Sequence, residues 1–273
     1  MNIEVVKPGL LTTPQDSGRG GYAHLGIGRA GAFDIPSLCI ANALADNPRD
    51  ACALEITLLG PTLRFDVDAW ISLTGAPLPV HIDDIEHAMW SPLWIRAGQT
   101  LALGAIRGGC RSYLAVHGGF DFELVLGCRS LDVNAALGPL DGRALRVGDV
   151  MKTGATADRR PNPDKARNDP AKASQNWRID PRPWFDLDPW RPLRLLPGTH
   201  FDFLDAASRE ALFAQPFRVA NDSNRVGVRL EGPQLKLSQP FESISEGCIA
   251  GTLQLPPAGK PIAVGVEHPV SGG

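Results

Sequence analysis

An all-β fold with a few short helices, arranged as two related units, is what this 273-residue sequence predicts. Three observations carry it. Gly (29) and Pro (24) are abundant while aromatic residues make up only 7% of the chain, the composition of many turns and short elements rather than of a helical bundle. Residues 1–150 break into short apolar runs bounded by turn signals. A turn sequence near the start of the chain also returns in its second half. Asp16-Ser17-Gly18-Arg19-Gly20-Gly21 matches Asp222-Ser223-Asn224-Arg225-Val226-Gly227 at the Asp, the Ser, the Arg and the final Gly. Each copy is followed by a Gly-Pro-x-Leu unit, Gly60 to Leu63 and Gly232 to Leu235. The intervals differ, so the first copy carries an insertion that contains a helix.

Taken in order, the elements follow from local chemistry. A helix begins near Asp34 or Ser37, either of which can accept hydrogen bonds from the first turn. Pro36 suits that turn, and Leu38, Ile40, Ala41 and Leu44 form a stripe at helical spacing. Asn47-Pro48 ends it, because proline disfavours helical geometry in the residue before it. Ala69 to Gly75 is a short apolar strand. Val80 to Ile82 and Ile85 to Trp90 flank Asp83-Asp84 as a hairpin, since Asp tolerates turn dihedrals. Leu101 to Leu103 and Ser112 to Val116 continue the strands. The first unit is thus expected over 1–150. A Pro-rich linker and arm follow over 151–192, with Trp177, Trp184 and Trp190 as docking side chains. The second unit covers 193–273, with a helix from Leu204 to Ala214 that Asp205 can cap.

Charge and cysteine content exclude several functions. With 27 Lys+Arg against 30 Asp+Glu the net charge is −3, without the basic excess of a general nucleic-acid binder. No signal-peptide pattern opens the chain, and no apolar stretch reaches the ~18–20 residues of a membrane span. Cys39, Cys52, Cys110, Cys128 and Cys248 are scattered and odd in number, as expected of free thiols in a reducing compartment, so a cytoplasmic protein is expected.

The segment from Thr12 to Tyr22 is the most chemically loaded. Its glycines let backbone approach a ligand, and Arg19 offers a planar fork for a carboxylate or phosphate. Asp16 can orient that fork or take a proton, although the same pattern also serves a structural Asp–Arg pair. Gly26-Ile27-Gly28-Arg29-Ala30-Gly31 formally matches a dinucleotide fingerprint, but no buried strand precedes it. His81, Asp83, Asp84, Glu86 and His87 have the composition of a metal cluster without metal-ligand spacing, so a solvated hairpin and no metal are expected. Met151-Lys152 resembles the pair in a biotin-attachment turn, but lacks strands on both sides. In the second half, Ser245, Glu246 and Gln254 are polar groups in a strand-like, glycine-punctuated stretch that could hydrogen-bond an amide or carboxylate.

Together these segments resemble the biotin-dependent carboxyltransferase-like family, which includes allophanate hydrolase subunit 2, KipA and the C-type subunit of 5-oxoprolinase. The matching stretches are Thr12 to Asp34, Ala41 to Pro61, Arg111 to Asp121 and Leu126 to Ser130, continuing with Leu196 to Gly198, Ser223 to Gly227 and Ser245 to Ile262. They span nearly the whole chain in order, leaving out only the linker. The resemblance implies two cyclophilin-like β-barrel units. It also implies an enzyme component that works with a partner like the B-type subunit of 5-oxoprolinase or allophanate hydrolase subunit 1. A protein like the A-type 5-oxoprolinase subunit is implied too, in the place of a further partner. The implied activity is ATP-dependent opening of 5-oxoproline to glutamate. Its alternatives are the carboxyl-transfer half of a urea carboxylase, with biotin supplied by another domain or protein, or a non-catalytic regulator of the KipA type. An unactivated lactam or urea carbonyl is a poor electrophile, so the pocket needs an Arg for an anion, amide hydrogen-bond partners and an acid–base group. Asp16 and Glu246 are the expected catalytic groups. Gln15, Arg19, Tyr22, Asn224, Arg225 and Gln254 are the expected substrate-binding groups. Two stretches depart from the family pattern. Ile27 to Asp34 lacks its proline and serine, and Glu267 to Gly273 replaces a Gln and two Thr before the sequence stops, so the second barrel is expected to be incomplete.

Overall fold

The computed structural model describes residues 1–154, 178–183, 192–239 and 246–268. Trp177, Trp184, Trp190 and Ser245 lie outside the described residues. The chain divides into two compact units, Met1–Arg19 with Ala30–Leu187, and Gly20–Arg29 with Asp188–Gly273.

In the first unit the short apolar runs form strands β1 (Asn2–Lys7), β2 (Leu11–Gln15), β3 (Ala53–Thr57), β4 (Thr62–Phe65), β5 (Ala69–Gly75), β6 (Val80–Ile82), β7 (Ile85–His87), β8 (Pro92–Ile95), β9 (Thr100–Leu103), β10 (Arg111–Val116) and β11 (Val150–Lys152). They pair antiparallel in two sheets, β11-β1-β4-β9-β6-β7 and β2-β3-β10-β5-β8. The expected linker start at Met151 therefore falls inside a strand. Met151 is 1% exposed and pairs with Ile3, but three residues are too few to show alternation in sequence.

Side chains alternate across a strand, and β3, β5 and β10 of the second sheet bury both sets. Leu54, Ile56, Ile71, Leu73, Leu114 and Val116 face a common core with Ile3, Val5, Leu63, Phe65, Val80 and Leu101 of the first sheet. The intervening residues face helix α1 (Ile35–Leu44), whose Leu38 and Ala41 pack with Ala53, Tyr113 and Ala115. Asp34 is the cap, its carboxylate accepting from Ser37 N, while Ile40 and Leu44 of the expected stripe are only half-buried. The buried helix face is instead partly polar. Ser72 Oγ donates to Ala41 O at 2.6 Å and Thr74 Oγ1 to Ser37 O at 2.7 Å, joining helix to sheet through satisfied hydroxyls.

The same face holds a buried carboxylate. Glu55 accepts from Tyr113 Oη at 2.7 Å, Phe33 N at 2.8 Å and Arg111 Nε at 3.2 Å, while Tyr113 Oη accepts from Asp34 N. This network fixes the turn that starts α1. Burial, reinforced by the Glu55 charge, pushes the Tyr113 phenol well above its ordinary value of 10.0. Since the folded-state value is the raised one, the stability that it contributes is intact below about pH 10 and is lost as pH rises further. Tyr113→Phe is expected to cost about 1–3 kcal/mol, because it strips a donor from a buried carboxylate. Urea denaturation checks the cost. Absorbance titration in a Tyr22→Phe background should show no tyrosinate while the fold survives pH 10.

The hairpin forms as expected, with β6 and β7 turning at Asp83 (φ 51) and His81 opposite Glu86. No group of three or more potential metal ligands occurs among the described residues. Lys152 of the Met-Lys pair lies in β11 opposite Asn2.

The second unit contains β12 (Arg218–Val219), β13 (Gly227–Glu231), β14 (Leu253–Gln254) and β15 (Ile262–Val264), an antiparallel sheet in the order β12-β13-β15-β14. Helix Ala206–Ala214 is capped by Asp205, which accepts from Ser208 N at 2.7 Å. The ladders of the two units make three antiparallel sheets among the described residues. The five cysteines are free, with Cys52 and Cys128 buried. No helix among the described residues is long and apolar enough to cross a membrane.

Candidate functional site

Strand β2 ends at Gln15 and delivers the Asp16–Arg19 loop against residues 129–137. Asp16 anchors it. Its Oδ1 accepts from Gly18 N at 2.8 Å and from the Ser130 hydroxyl, and its Oδ2 accepts from Arg129 N at 2.6 Å. The Ser130 hydroxyl in turn accepts from Asp16 N at 2.9 Å. The Asp16 carbonyl accepts from Ala32 N, which draws the residues before α1 alongside the loop. That approach requires glycine at position 31. Its φ is +88°, and a Cβ there would lie 2.9 Å from Gly18 N.

Gln15 and Arg19 hang from neighbouring peptide units of the opposing segment. Gln15 Nε2 donates to Leu131 O at 2.8 Å and to Thr13 Oγ1 at 3.1 Å, and Arg19 Nη2 donates to Ser130 O at 2.7 Å. Because a carbonyl can only accept, the Leu131 contact settles which end of the Gln15 amide is nitrogen. Gln15 is fully buried and Arg19 is 2% exposed, yet Gln15 Oε1, Arg19 Nε and Arg19 Nη1 have no hydrogen-bond partner among the described residues. No carboxylate pairs with this guanidinium among them either. A buried charge with idle donors is costly, roughly 1–3 kcal/mol for each unmet group and more for charged ones. An anionic or carbonyl oxygen is the chemical complement of such idle guanidinium donors.

In the second unit the repeated turn has a different fate. Arg225 (3% exposed) donates through Nε to Glu267, whose side chain is fully buried. A Cβ on Gly265 would sit 2.1 Å from Arg225 O, so the backbone crosses there only without a side chain. Asn224 Oδ1 accepts from Val226 N at 2.9 Å and Gly227 N at 3.2 Å, holding its own turn. Glu246 is half-exposed with Oε1 3.7 Å from His200 Nε2. Gln254 is half-buried in β14, and Tyr22 precedes the short 3-10 turn Ala23–Leu25.

The structure thus brings together Gln15, Asp16 and Arg19 in the first unit, and Asn224 beside Arg225 in the second. Glu246, Gln254 and Tyr22 sit on other segments of the second unit. The sequence alone points to neither Ser130 nor Glu267 as a partner. Ser130 closes one of the segments that carry the family resemblance and Glu267 opens a departing one, but nothing local says what either residue touches.

A family model described as the carboxyltransferase domain, subdomain A and B, matches residues 25–273. The C-type subunit of 5-oxoprolinase from Escherichia coli K12 is 37% identical over 273 residues, covering 99% of this chain and 82% of that protein. Its counterpart in Haemophilus influenzae is 31% identical, with the same coverage of 99% and 82%. The crystal structure of the Kluyveromyces lactis urea carboxylase superposes with a TM-score of 0.80 at 26% identity, over 97% of this chain and 24% of that one. The chain is homologous to the C-type 5-oxoprolinase subunit and related to the carboxyltransferase region of the urea enzymes.

Proposed function

This chain belongs to the carboxyltransferase domain family, subdomains A and B, and from that membership we propose that it is the C-type subunit of a 5-oxoprolinase. In this reading it opens 5-oxoproline to glutamate, with ATP, in a complex with partners of the B type and the A type. The observation that carries the reading to residues is the buried Arg19 guanidinium with two unpartnered nitrogens. Arg19 takes an anionic oxygen of the substrate, and Gln15 takes one of its polar hydrogens. Asp16, already accepting three hydrogen bonds, acts by presenting Arg19 rather than by exchanging a proton. Within the second unit, taken by itself, Asn224, Arg225, Gln254 and Tyr22 are the proposed binding groups, Asn224 Oδ1 holding its own turn. Glu246, whose side chain is 46% exposed, is that unit's proposed acid–base group.

ATP, bound through the partners, supplies the phosphoryl group that makes an amide carbonyl electrophilic. A second reading, carboxyl transfer, is favoured by the likeness to urea carboxylase. A ureido ring offers an N–H and a carbonyl, which Gln15 Oε1 and the Arg19 donors fit, and biotin when bound supplies the carrier for an activated carboxyl group. The finer fold reading, two cyclophilin-like β-barrels, belongs to the same proposal. An experimental structure in which β7 and β11 remain open sheet edges would replace it.

The deciding experiment is co-expression with the neighbouring subunits, followed by assay of glutamate release from 5-oxoproline. ATP-dependent release that needs this chain is the expected result. No release from an intact complex, or release only of carboxylated urea from carboxybiotin, overturns the first reading.

A further inference from the structure

We propose that Gln15 is the specificity-determining residue of the Arg19 site: its Oε1 demands an N–H on the ligand, so the site takes a small anion bearing a ring or amide N–H and rejects the oxygen isostere. The inference rests on the 5-oxoprolinase reading above and adds to it which atom of the substrate is read, and by what.

Four observations converge. The Gln15 side chain cannot rotate to offer its NH2 group instead, because Nε2 is held by Leu131 O at 2.8 Å and by Thr13 Oγ1 at 3.1 Å. Its Oε1 is left as a bare acceptor, buried and without a partner among the described residues. Arg19, fixed one peptide unit away on Ser130 O, presents the complementary need through Nε and Nη1, which are donors without acceptors. The Asp16 and Ser130 bonds hold the loop between these side chains, so neither can swing out to satisfy itself on the other's anchor. A single ligand set against both side chains must bring one donor and at least one acceptor. A lactam or ureido N–H beside a carboxylate or carbonyl meets both demands. A lactone meets only the second and turns a ring oxygen toward Gln15 Oε1, acceptor against acceptor. Sites whose buried polar groups are left unpaired by the wrong ligand discriminate strongly, whereas apolar pockets do not.

The test measures binding of 5-oxoproline and of its lactone counterpart, 5-oxotetrahydrofuran-2-carboxylate, by titration calorimetry on the full chain co-purified with its partner subunits. The native complex is expected to prefer the lactam by roughly tenfold to a hundredfold. Gln15→Met should bring the two affinities within about twofold of each other, chiefly by weakening the lactam. Arg19→Met should weaken both ligands in parallel and leave their ratio unchanged. If Gln15→Met does not fold, Gln15→Asn withdraws the acceptor by one methylene and should shrink the preference in the same direction. Equal binding of lactam and lactone by the native complex, or a preference that survives both Gln15 variants, overturns the inference even with glutamate release intact. Failure of 5-oxoproline to bind at all overturns the functional reading on which the inference rests.

Discussion

Arg19→Ala is expected to lower kcat/KM for 5-oxoproline in the assembled complex by about 100- to 10,000-fold, with the chain still folded. Two donor nitrogens facing a substrate anion are worth about 1.5–3 kcal/mol each, and ~1.4 kcal/mol is a factor of ten. Arg19→Lys should rescue little, since an ammonium lacks the planar fork and cannot reach Ser130 O and the substrate together. Stability should respond far less than activity. The substitution gives up the Nη2 bonds to Ser130 O and Leu137 O, but it also removes a buried cation that no carboxylate among the described residues balances. Steady-state kinetics alongside urea denaturation separates the two effects. Activity within threefold of native, or loss of activity in proportion to loss of folded protein, would remove Arg19 from the binding machinery.

Glu267→Ala should produce the opposite pattern in the second unit, a stability loss of about 3–5 kcal/mol, because it removes one partner of a buried ion pair. The pair itself need not be strongly stabilising. Desolvating both ions costs roughly what their attraction returns, so Arg225→Met combined with Glu267→Leu should recover most of what the single change loses. Chemical denaturation of the two single variants and the double variant closes the cycle. If the double variant is as unstable as Glu267→Ala alone, the penalty comes from lost packing around Gly265 and not from the broken ion pair.

These two arginines occupy the same place in the repeated Asp-Ser-x-Arg pattern, and that repetition is legible in the sequence. Their different fates are not. Arg225 meets a carboxylate 42 residues further on, while among the described residues Arg19 meets only carbonyls more than a hundred residues away. Asp16 shows the same limit from the other side. An Asp three residues before an Arg reads as an ion pair or a proton acceptor, yet its oxygens accept from Gly18, Arg129 and Ser130 instead. Ser72 and Thr74 look like polar interruptions of an apolar strand, and only α1 lying across them turns them into anchors for helix carbonyls.

What the sequence determined by itself is whatever depends on neighbours along the chain. Strand alternation, the Asp34 and Asp205 helix caps, the Asp83 turn and the ordered segments of family likeness all belong there. Backbone dihedral preferences and the two-residue strand period act over a few residues, so a reader of the chain can see them. Only the tertiary structure decided which polar groups would find partners. Burial removes water as the default partner, and whether a protein group replaces it depends on segments distant in sequence meeting within hydrogen-bond reach. At Glu55 and Arg225 such groups arrive. At Gln15 Oε1 and the two idle nitrogens of Arg19 none does among the described residues, and on those three atoms the proposed site rests.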